Sequence, residues 1–351
     1  MDDSVTVSIA EERESNARMI ADSAAAALGS DFERIRAPRF DLPGFDRARW
    51  REFAALGWLA LRLPEARGGL GMGMSEYCAL ARELGRALAP EPVIDAVAAL
   101  EFLPDDLIAP VLEGERIVLP AFAAGTNPRP LLRNGRLSGE ALYVGMAAGA
   151  DAFMVETREG GAAIVEADAP GLTLQAEMTH DGGHQGRLSL DEPPAIAIAH
   201  AGERAREDAT LATAAYLLGV AARAFEISLD YVKQRKQFDR PIGAFQALQH
   251  RLVDQYLQIN LLKAALHEAA ATIDAGAGRS TAQAMVSRAR HRADLAARLV
   301  CREAIQLHGA IGFTDEGDAG LFLRKTMALS GRYGTARTHR MRAFAARKED
   351  A

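Results

Sequence analysis

A chain of 351 residues with 49% hydrophobic and 25% charged residues has an ordinary globular composition and enough length for more than one core. Its net charge of −6 argues against nucleic acid or an anionic membrane as the main partner. Only two cysteines occur, Cys78 and Cys301, without a CxxC or Cys/His cluster, which fits a reducing compartment and gives no metal site.

The first residues, MDDSVTVSIAEERESNARMI, are acidic where a secretory signal would be basic, and no stretch reads as a membrane span. A cytosolic enzyme or enzyme subunit is expected. Residues 1–117 read as a helical domain. Asp46 is placed to cap a helix carrying Trp50, Phe53, Ala54 and Leu56. The Gly-rich turn LPEARGGLGMG (63–73) follows, then a helix from about 74 to 89 with Tyr77, Leu80, Ala81 and Leu84 on one stripe and Ser75 as its cap.

Residues 118–200 change character. IVLPAFA, RLSGEALYV, DAFMVET, AAIVEAD, LTLQAEM and GRLSLDE are short runs of β-branched or alternating apolar residues separated by turn formers, the pattern of a small barrel or sandwich. Residues 201–351 return to helix. Leu211, Ala215, Leu218, Ala222, Phe225, Leu229 and Val232 form one seam. Leu248, Leu252, Tyr256, Ile259, Leu262 and Leu266 form a second. A third helix, from about 281 to 307, carries Met285, Leu295, Val300 and Ile305. The expected fold is mostly α: a helical domain (1–117), a middle β domain (118–200) and a C-terminal four-helix bundle (201–351). The apolar Ala214, Leu217 and Ala221 on other faces of the first bundle helix are expected to meet a second chain.

The connection RKQFDRPIGAFQALQHRLVD (235–254) is richer than a helix link requires. It resembles the R-x-x-F-G-x-x-I-x-x-x-Q turn of acyl-CoA dehydrogenases. AIQLHGAIGFTDEGD (304–318) resembles that family's Q-x-x-G-G-x-G-[FY] signature, and PEARGGLG (64–71) its P-E-x-x-G-G-L-G turn. The resemblance runs over essentially the whole chain. It implies FAD, an acyl-CoA substrate, an electron-transfer flavoprotein or similar acceptor, and a homo- or hetero-tetramer in which these motifs reach a neighbour's FAD. The residue chemistry agrees. Arg235 can donate charge-assisted hydrogen bonds to phosphate, and Phe238 offers a ring face. Gln246 and Gln306 carry donors and an acceptor for ribose or adenine, while Gly309 and Gly312 admit close backbone approach. Thr335 matches the Thr of the family's Y-E-G-T segment. Alone, Arg235 would equally serve a helix C-terminus.

Departures from the family pattern are concentrated in the chemical centre. LPAFAAGTNPRP (119–130) lacks the acidic-Pro and Ser-Asp features of the loop that lies along the flavin ring in relatives. ALYVGMAAGAD (141–151) puts Gly145 where relatives place a Thr near the flavin N5. GRYGTART (331–338) puts Tyr333 at the position of the catalytic Glu, and a phenol near pKa 10 is a poor base at neutral pH. The alternative base position, at the start of the first bundle helix, holds Ala209 and Thr210, with Glu207 and Asp208 adjacent as first-turn acids. The catalytic residue is thus left open. Glu226 and the eight histidines show no triad or ligand spacing, His308 reads as packed, and Asp315, Glu316 and Asp318 read as loop or capping residues. The combination resembles the non-catalytic partner subunits of heteromeric acyl-CoA dehydrogenases of bacterial sterol breakdown, which pair with a catalytic paralogue. A self-sufficient homo-oligomer with a relocated base and a flavin-free scaffolding homologue are the alternatives.

Overall fold

The structure, a computed structural model, describes residues 3–122, 128–198 and 202–349. In chain order the helices α1 (Asp3–Leu28), α2 (Glu33–Arg36), α3 (Arg47–Ala55), α4 (Met74–Arg86), α5 (Val93–Leu100) and α6 (Asp105–Leu112) lead into the strands. These are β1 (Val118–Ala121), β2 (Leu131–Arg133), β3 (Arg136–Gly145), β4 (Ala152–Glu156), β5 (Ala162–Glu166), β6 (Leu172–Met178), β7 (His184–Pro194) and β8 (Ile196–Ile198). Then come α7 (Gly202–Gln234), the short pair β9 (Lys236–Gln237) and β10 (Arg240–Pro241), α8 (Gln246–Asp274), α9 (Arg279–His308), α10 (Ala319–Leu329) and α11 (Ala336–Glu349). The helix–sheet–helix order is as the sequence implies. By internal contacts the chain forms two units, one of 33–73 and 90–210, the other of 1–32, 74–89 and 211–351.

The first unit holds both four-stranded sheets. One has the order β1-β4-β5-β8, the other β2-β3-β7-β6. Parallel pairing of β1 with β4 sits beside the antiparallel β4–β5 pair, and β4 is buried along its whole length. In β7 buried and exposed residues alternate over most of the strand, so one face of that sheet meets solvent. All six strand segments read from the sequence are present; β2 and β8 were not read, being three residues each and too short to show a period. Asp46 caps α3 as expected, accepting from the Ala48 N–H at 2.8 Å. In the turn that follows, a Cβ at Gly69 would fall 1.9 Å from the Leu63 carbonyl oxygen, so the glycine serves the turn's own closure.

The second unit is helical. Its central helix, α7, buries Leu211, Ala215, Leu218 and Val232 as expected. Ala214, Leu217 and Ala221 are buried within the chain too, so the expectation that they meet a second chain is corrected. Glycines account for part of this enclosure. A Cβ at Gly219 would lie 1.9 Å from the Arg82 carbonyl oxygen, and one at Gly85 2.0 Å from that of Tyr216, so α4 and α7 cross backbone to backbone. A helix apolar all round is a core helix. For the same reason α7 has the length and composition of a membrane span, an 18-residue stretch of it reaching a mean hydropathy of 1.3, although 72% of that stretch is buried inside the chain. The sequence reading that no stretch approaches a span is corrected on composition. The outward apolar row lies on α8 instead: Val253, Tyr256, Leu257 and Leu261 are exposed, Tyr256 against expectation, and Leu295 of α9 is exposed as well.

Ser75 does not cap α4 as expected: it lies inside the helix, and its hydroxyl donates to Asp274. Asp274, the last residue of α8, accepts from the Met74 N–H (2.6 Å), the Ser75 N–H (3.0 Å) and the Ser75 hydroxyl (2.7 Å). An N-cap borrowed from 199 residues away leaves no local signature. For the helix crossing, Gly219→Ala is expected to force α4 and α7 apart and cost about 1–3 kcal/mol, as overpacked cores do. Denaturant titration of the variant checks this; an unchanged midpoint would mean the crossing has slack.

Candidate functional site

Helix α7 ends where Arg235 begins the connection, its N–H still donating to the Tyr231 carbonyl at 2.8 Å. Its own carbonyl accepts from the Ile242 N–H at 2.8 Å, which closes a small loop around the β9–β10 hairpin. The two tip residues, Phe238 (φ 52°) and Asp239 (φ 62°), are both left-handed, as a two-residue hairpin turn of type I′ requires. Glycine or Asn is usual there, so Phe238 is held outward at a backbone cost, 84% exposed. Its ring meets Phe245 edge-on at 6.0 Å, and the Arg240 guanidinium lies 4.1 Å from the Phe245 centroid. Arg235 is exposed. So is Gln246, the first residue of α8, whose N-terminus has no side-chain cap. Beneath the hairpin an aliphatic cleft of about 430 Å³ opens between Leu229, Val232, Pro241 and Leu252.

The second motif ends α9. Gln306 is exposed on its last turn. Gly309 has φ 65° and ψ −135°, a conformation essentially closed to other residues, and open space where a Cβ would be. Gly312 differs from expectation: the place of its Cβ is taken by the Ile305 backbone (oxygen at 2.9 Å), so its smallness serves packing. Phe313 stands 82% exposed. The two motifs, distant in sequence, are joined. Tyr231 stacks on His308 with centroids 4.4 Å apart, and its hydroxyl donates to the His308 carbonyl at 3.4 Å. Val232, Leu252 and Leu307 form a shared core behind them. His308 is packed as read, its Nδ1 2.7 Å from the Ala304 carbonyl oxygen.

The third element is the 331–335 turn. Gly331 (φ 94°), Tyr333 (φ 61°) and Gly334 (φ 128°) take left-handed or glycine-type backbone, and the Gly334 N–H donates to the Gly331 carbonyl at 3.0 Å. Tyr333 lies under the Arg332 guanidinium, 5.1 Å from the ring centroid. Thr335 is the N-cap of α11, accepting from the Thr338 N–H at 3.2 Å. Behind the turn, His339 is buried and its Nδ1 lies 3.4 Å from the Ser287 hydroxyl. Burial first, then the nearby Arg290 and Arg342 charges, push its pKa down to about 3, against a hydrogen bond to the Tyr333 backbone. Sequence reasoning had no signal for His339, whose partners come from a different helix.

The carboxylates weighed as bases are engaged elsewhere. Asp208 pairs with Arg62 at 2.9 Å, and Arg62 also donates to the Met72 carbonyl at 3.3 Å. Ala209 is fully buried, and the Thr210 hydroxyl donates to the Arg206 carbonyl at 2.6 Å. Glu226 is gripped by both Arg86 nitrogens at 2.7 and 2.8 Å; burial works against its ionised form, but the Arg86 hydrogen bonds and charge outweigh it and hold its pKa below the usual carboxylate range. Asp315 pairs with Arg324 at 2.6 Å. Gly145 ends β3, opposite Gln185, and brings no side chain. Of the 119–130 segment, 123–127 lie outside the described residues. Arg235, Gln246 and Gln306 are exposed donors, suited to phosphate and an aromatic base, whereas Asp208, Glu226 and Asp315 are each paired with an arginine.

Comparisons with known proteins agree in kind. The acyl-CoA dehydrogenase N-terminal domain matches residues 12–100 and the acyl-CoA dehydrogenase C-terminal domain residues 207–347. The acyl-CoA dehydrogenase FadE27 of Mycobacterium tuberculosis is 32% identical over 329 residues, covering 84% of this chain and 87% of that one. IpdE2 of Mycolicibacterium smegmatis is 30% identical, covering 84% and 86%. Among solved structures, a variant of the Tcur3481–Tcur3483 steroid ACAD aligns with a TM-score of 0.83 at 31% identity over 97% of this chain and 98% of that one. The ChsE4–ChsE5 complex of Mycobacterium tuberculosis aligns with a TM-score of 0.85 at 26% identity over 96% and 97%.

The buried His339 gives a pH dependence of definite sign. An unfolded histidine takes its proton near pH 6.5, the folded one near 3. Between these values the unfolded chain binds the extra proton, so this contribution to stability is complete above 6.5 and declines as pH falls. His339→Gln is expected to flatten the acid side of the stability profile over that window. Urea midpoints measured from pH 7 to 4 check it, and an identical slope in the variant would contradict the assignment.

Proposed function

The chain belongs to the acyl-CoA dehydrogenase family of oxidoreductases acting on CH–CH bonds, and from that premise we propose that it is the partner subunit of a heteromeric, FAD-dependent acyl-CoA dehydrogenase. The observation that carries the reading is the division within the site. Both positions that hold a catalytic carboxylate in relatives hold Tyr333 and the buried Ala209, while the donors of the cofactor motifs face outward. Two relatives in the comparison are assemblies of two different chains, and one is a steroid enzyme, which supports a steroid-CoA or similar bulky thioester as substrate. An electron-transfer flavoprotein or similar acceptor would receive the electrons.

When bound, FAD supplies the hydride acceptor for the α,β-dehydrogenation. The residues here fit its pyrophosphate–adenosine half. Arg235 would balance phosphate charge, Phe238 would cover a ring face, and Gln246 and Gln306 would hydrogen-bond ribose or adenine. Open space at Gly309 admits close backbone approach, and Thr335 fixes the start of α11, whose N-terminal dipole favours anions. The residues do not fit the ring half, where Gly145 has no hydroxyl. Removing a proton alpha to the thioester carbonyl needs a base of suitable pKa, and in this reading the partner chain brings it.

Arg235→Ala is expected to remove a charge-assisted hydrogen bond of about 1.5–3 kcal/mol, a loss of roughly ten- to a hundredfold or more in flavin affinity. Flavin occupancy of the purified assembly, read from its absorbance, measures that. For activity, the single chain is expected to leave an electron-acceptor dye unreduced with acyl-CoA and steroid-CoA thioesters, and to turn over once a catalytic paralogue is added. General base catalysis contributes about 10²–10⁴-fold, so its absence is readable. Turnover by the single chain that vanishes in Asp208→Asn would overturn the reading in favour of a relocated base. A loss of melting temperature in that variant is the expected result, because it breaks the pair with Arg62.

A further inference from the structure

One face of α9 is polar, with Ser287, Arg290 and Asp294 buried, His291 half-buried and Arg298 exposed at its rim. The five follow helical spacing and direct their contacts at the stretch from Leu329 to α11 or at one another. Arg290 is wholly buried and pairs with Asp294 at 2.5 Å. Its Nη2 donates to the Leu329 carbonyl at 2.8 Å and lies 3.4 Å from the Arg332 carbonyl oxygen. His291 Nδ1 is 3.0 Å from the Ala336 carbonyl oxygen, Arg298 donates to the Ser330 hydroxyl, and Ser287 meets His339. The place a Cβ would take at Gly334 is 2.8 Å from His339 Nε2, so the turn is seated directly on this layer.

A charge pair is a poor way to fill a core. Desolvation offsets most of the attraction, and well-packed apolar side chains at such sites are often as stable or more so. What the guanidinium does that a methionine would not is donate to two carbonyls of a segment with three unusual backbone conformations in four residues. That segment carries Tyr333 and leads into Thr335, the two residues the proposed function places at the shared site. We propose that Arg290, with Asp294 as its fixed counter-charge, is a positioning residue that holds the 329–335 turn in the conformation presenting Tyr333 and the Thr335 cap to the cofactor and substrate. The inference rests on the proposed function for what the turn presents, and on this chain's own contacts for what holds it.

Hydrogen–deuterium exchange on the full chain reads the holding directly. In Arg290→Met/Asp294→Leu the Gly334 amide, whose hydrogen bond closes the turn, is expected to exchange at least tenfold faster while amides of α8 and the middle of α9 keep their protection. Arg290→Lys, which retains a donor, is expected to restore part of it and covers the case in which the double variant does not fold. Uniform loss across the helical unit, or protection at Gly334 equal to that of the unaltered chain, overturns the proposal. FAD content of the purified assembly is the second readout and is expected to fall in the double variant at unchanged melting temperature. If Arg235→Ala also leaves FAD content unchanged, the shared-site reading fails and the exchange result alone still decides whether Arg290 holds the turn.

Discussion

The contact on which the site depends is the stack of Tyr231 on His308, with Val232 and Leu307 packed behind it. It fastens the last turn of α7 to the last turn of α9. The segments leaving those helices, the hairpin of Phe238 and the glycine turn of Gly309, thereby start from adjacent points although more than seventy residues separate them. Neither is a regular element of any length, so neither could hold its own place. Their geometry is inherited from two long helices, and those are fixed by burial of aliphatic faces along their length.

Much of this could be read without coordinates because it is local. The 4,3 spacing along Leu211 to Val232 is a property of one helix, and the Asp46 cap lies two residues from the N–H it accepts. The RKQFDRPIGAFQ turn is dense with residues that a mere link does not need. What escaped the reading is tertiary. Asp274 caps a helix nearly two hundred residues upstream. Gly219 and Gly85 look like weak points in helical patterns, yet they are where two backbones touch. Ala214, Leu217 and Ala221 are apolar on a second face, which sequence alone cannot distinguish from an interface, since enclosure by the same chain and by another chain select the same residues. Arg290 carries no sign in the sequence that it is wholly buried, and only its two carbonyl partners explain it.

In the site, the outward-facing donors and the filled-in base positions follow different physical demands. A cofactor's phosphates and base are recognised by groups at the ends of helices, where side chains reach solvent and N–H groups are free. Proton removal from carbon needs a carboxylate in a dry place, which is costly unless turnover requires it. On the proposed reading, a chain relieved of the second demand lets Ala209 pack and Tyr333 occupy the turn while retaining the first. On the same reading, Gly145 at the end of β3 leaves the ring contact to the other chain.

The left-handed tip of the hairpin has a consequence for the life of the chain outside any assembly. Phe238 is turned outward at a backbone cost, Phe313 is nearly as bare, and α8 shows a row of aliphatic and aromatic side chains. On the proposed reading, a copy without its partner chain displays the kind of apolar surface that chaperones and proteases survey, so that making the two chains in step would shorten the time it stays bare.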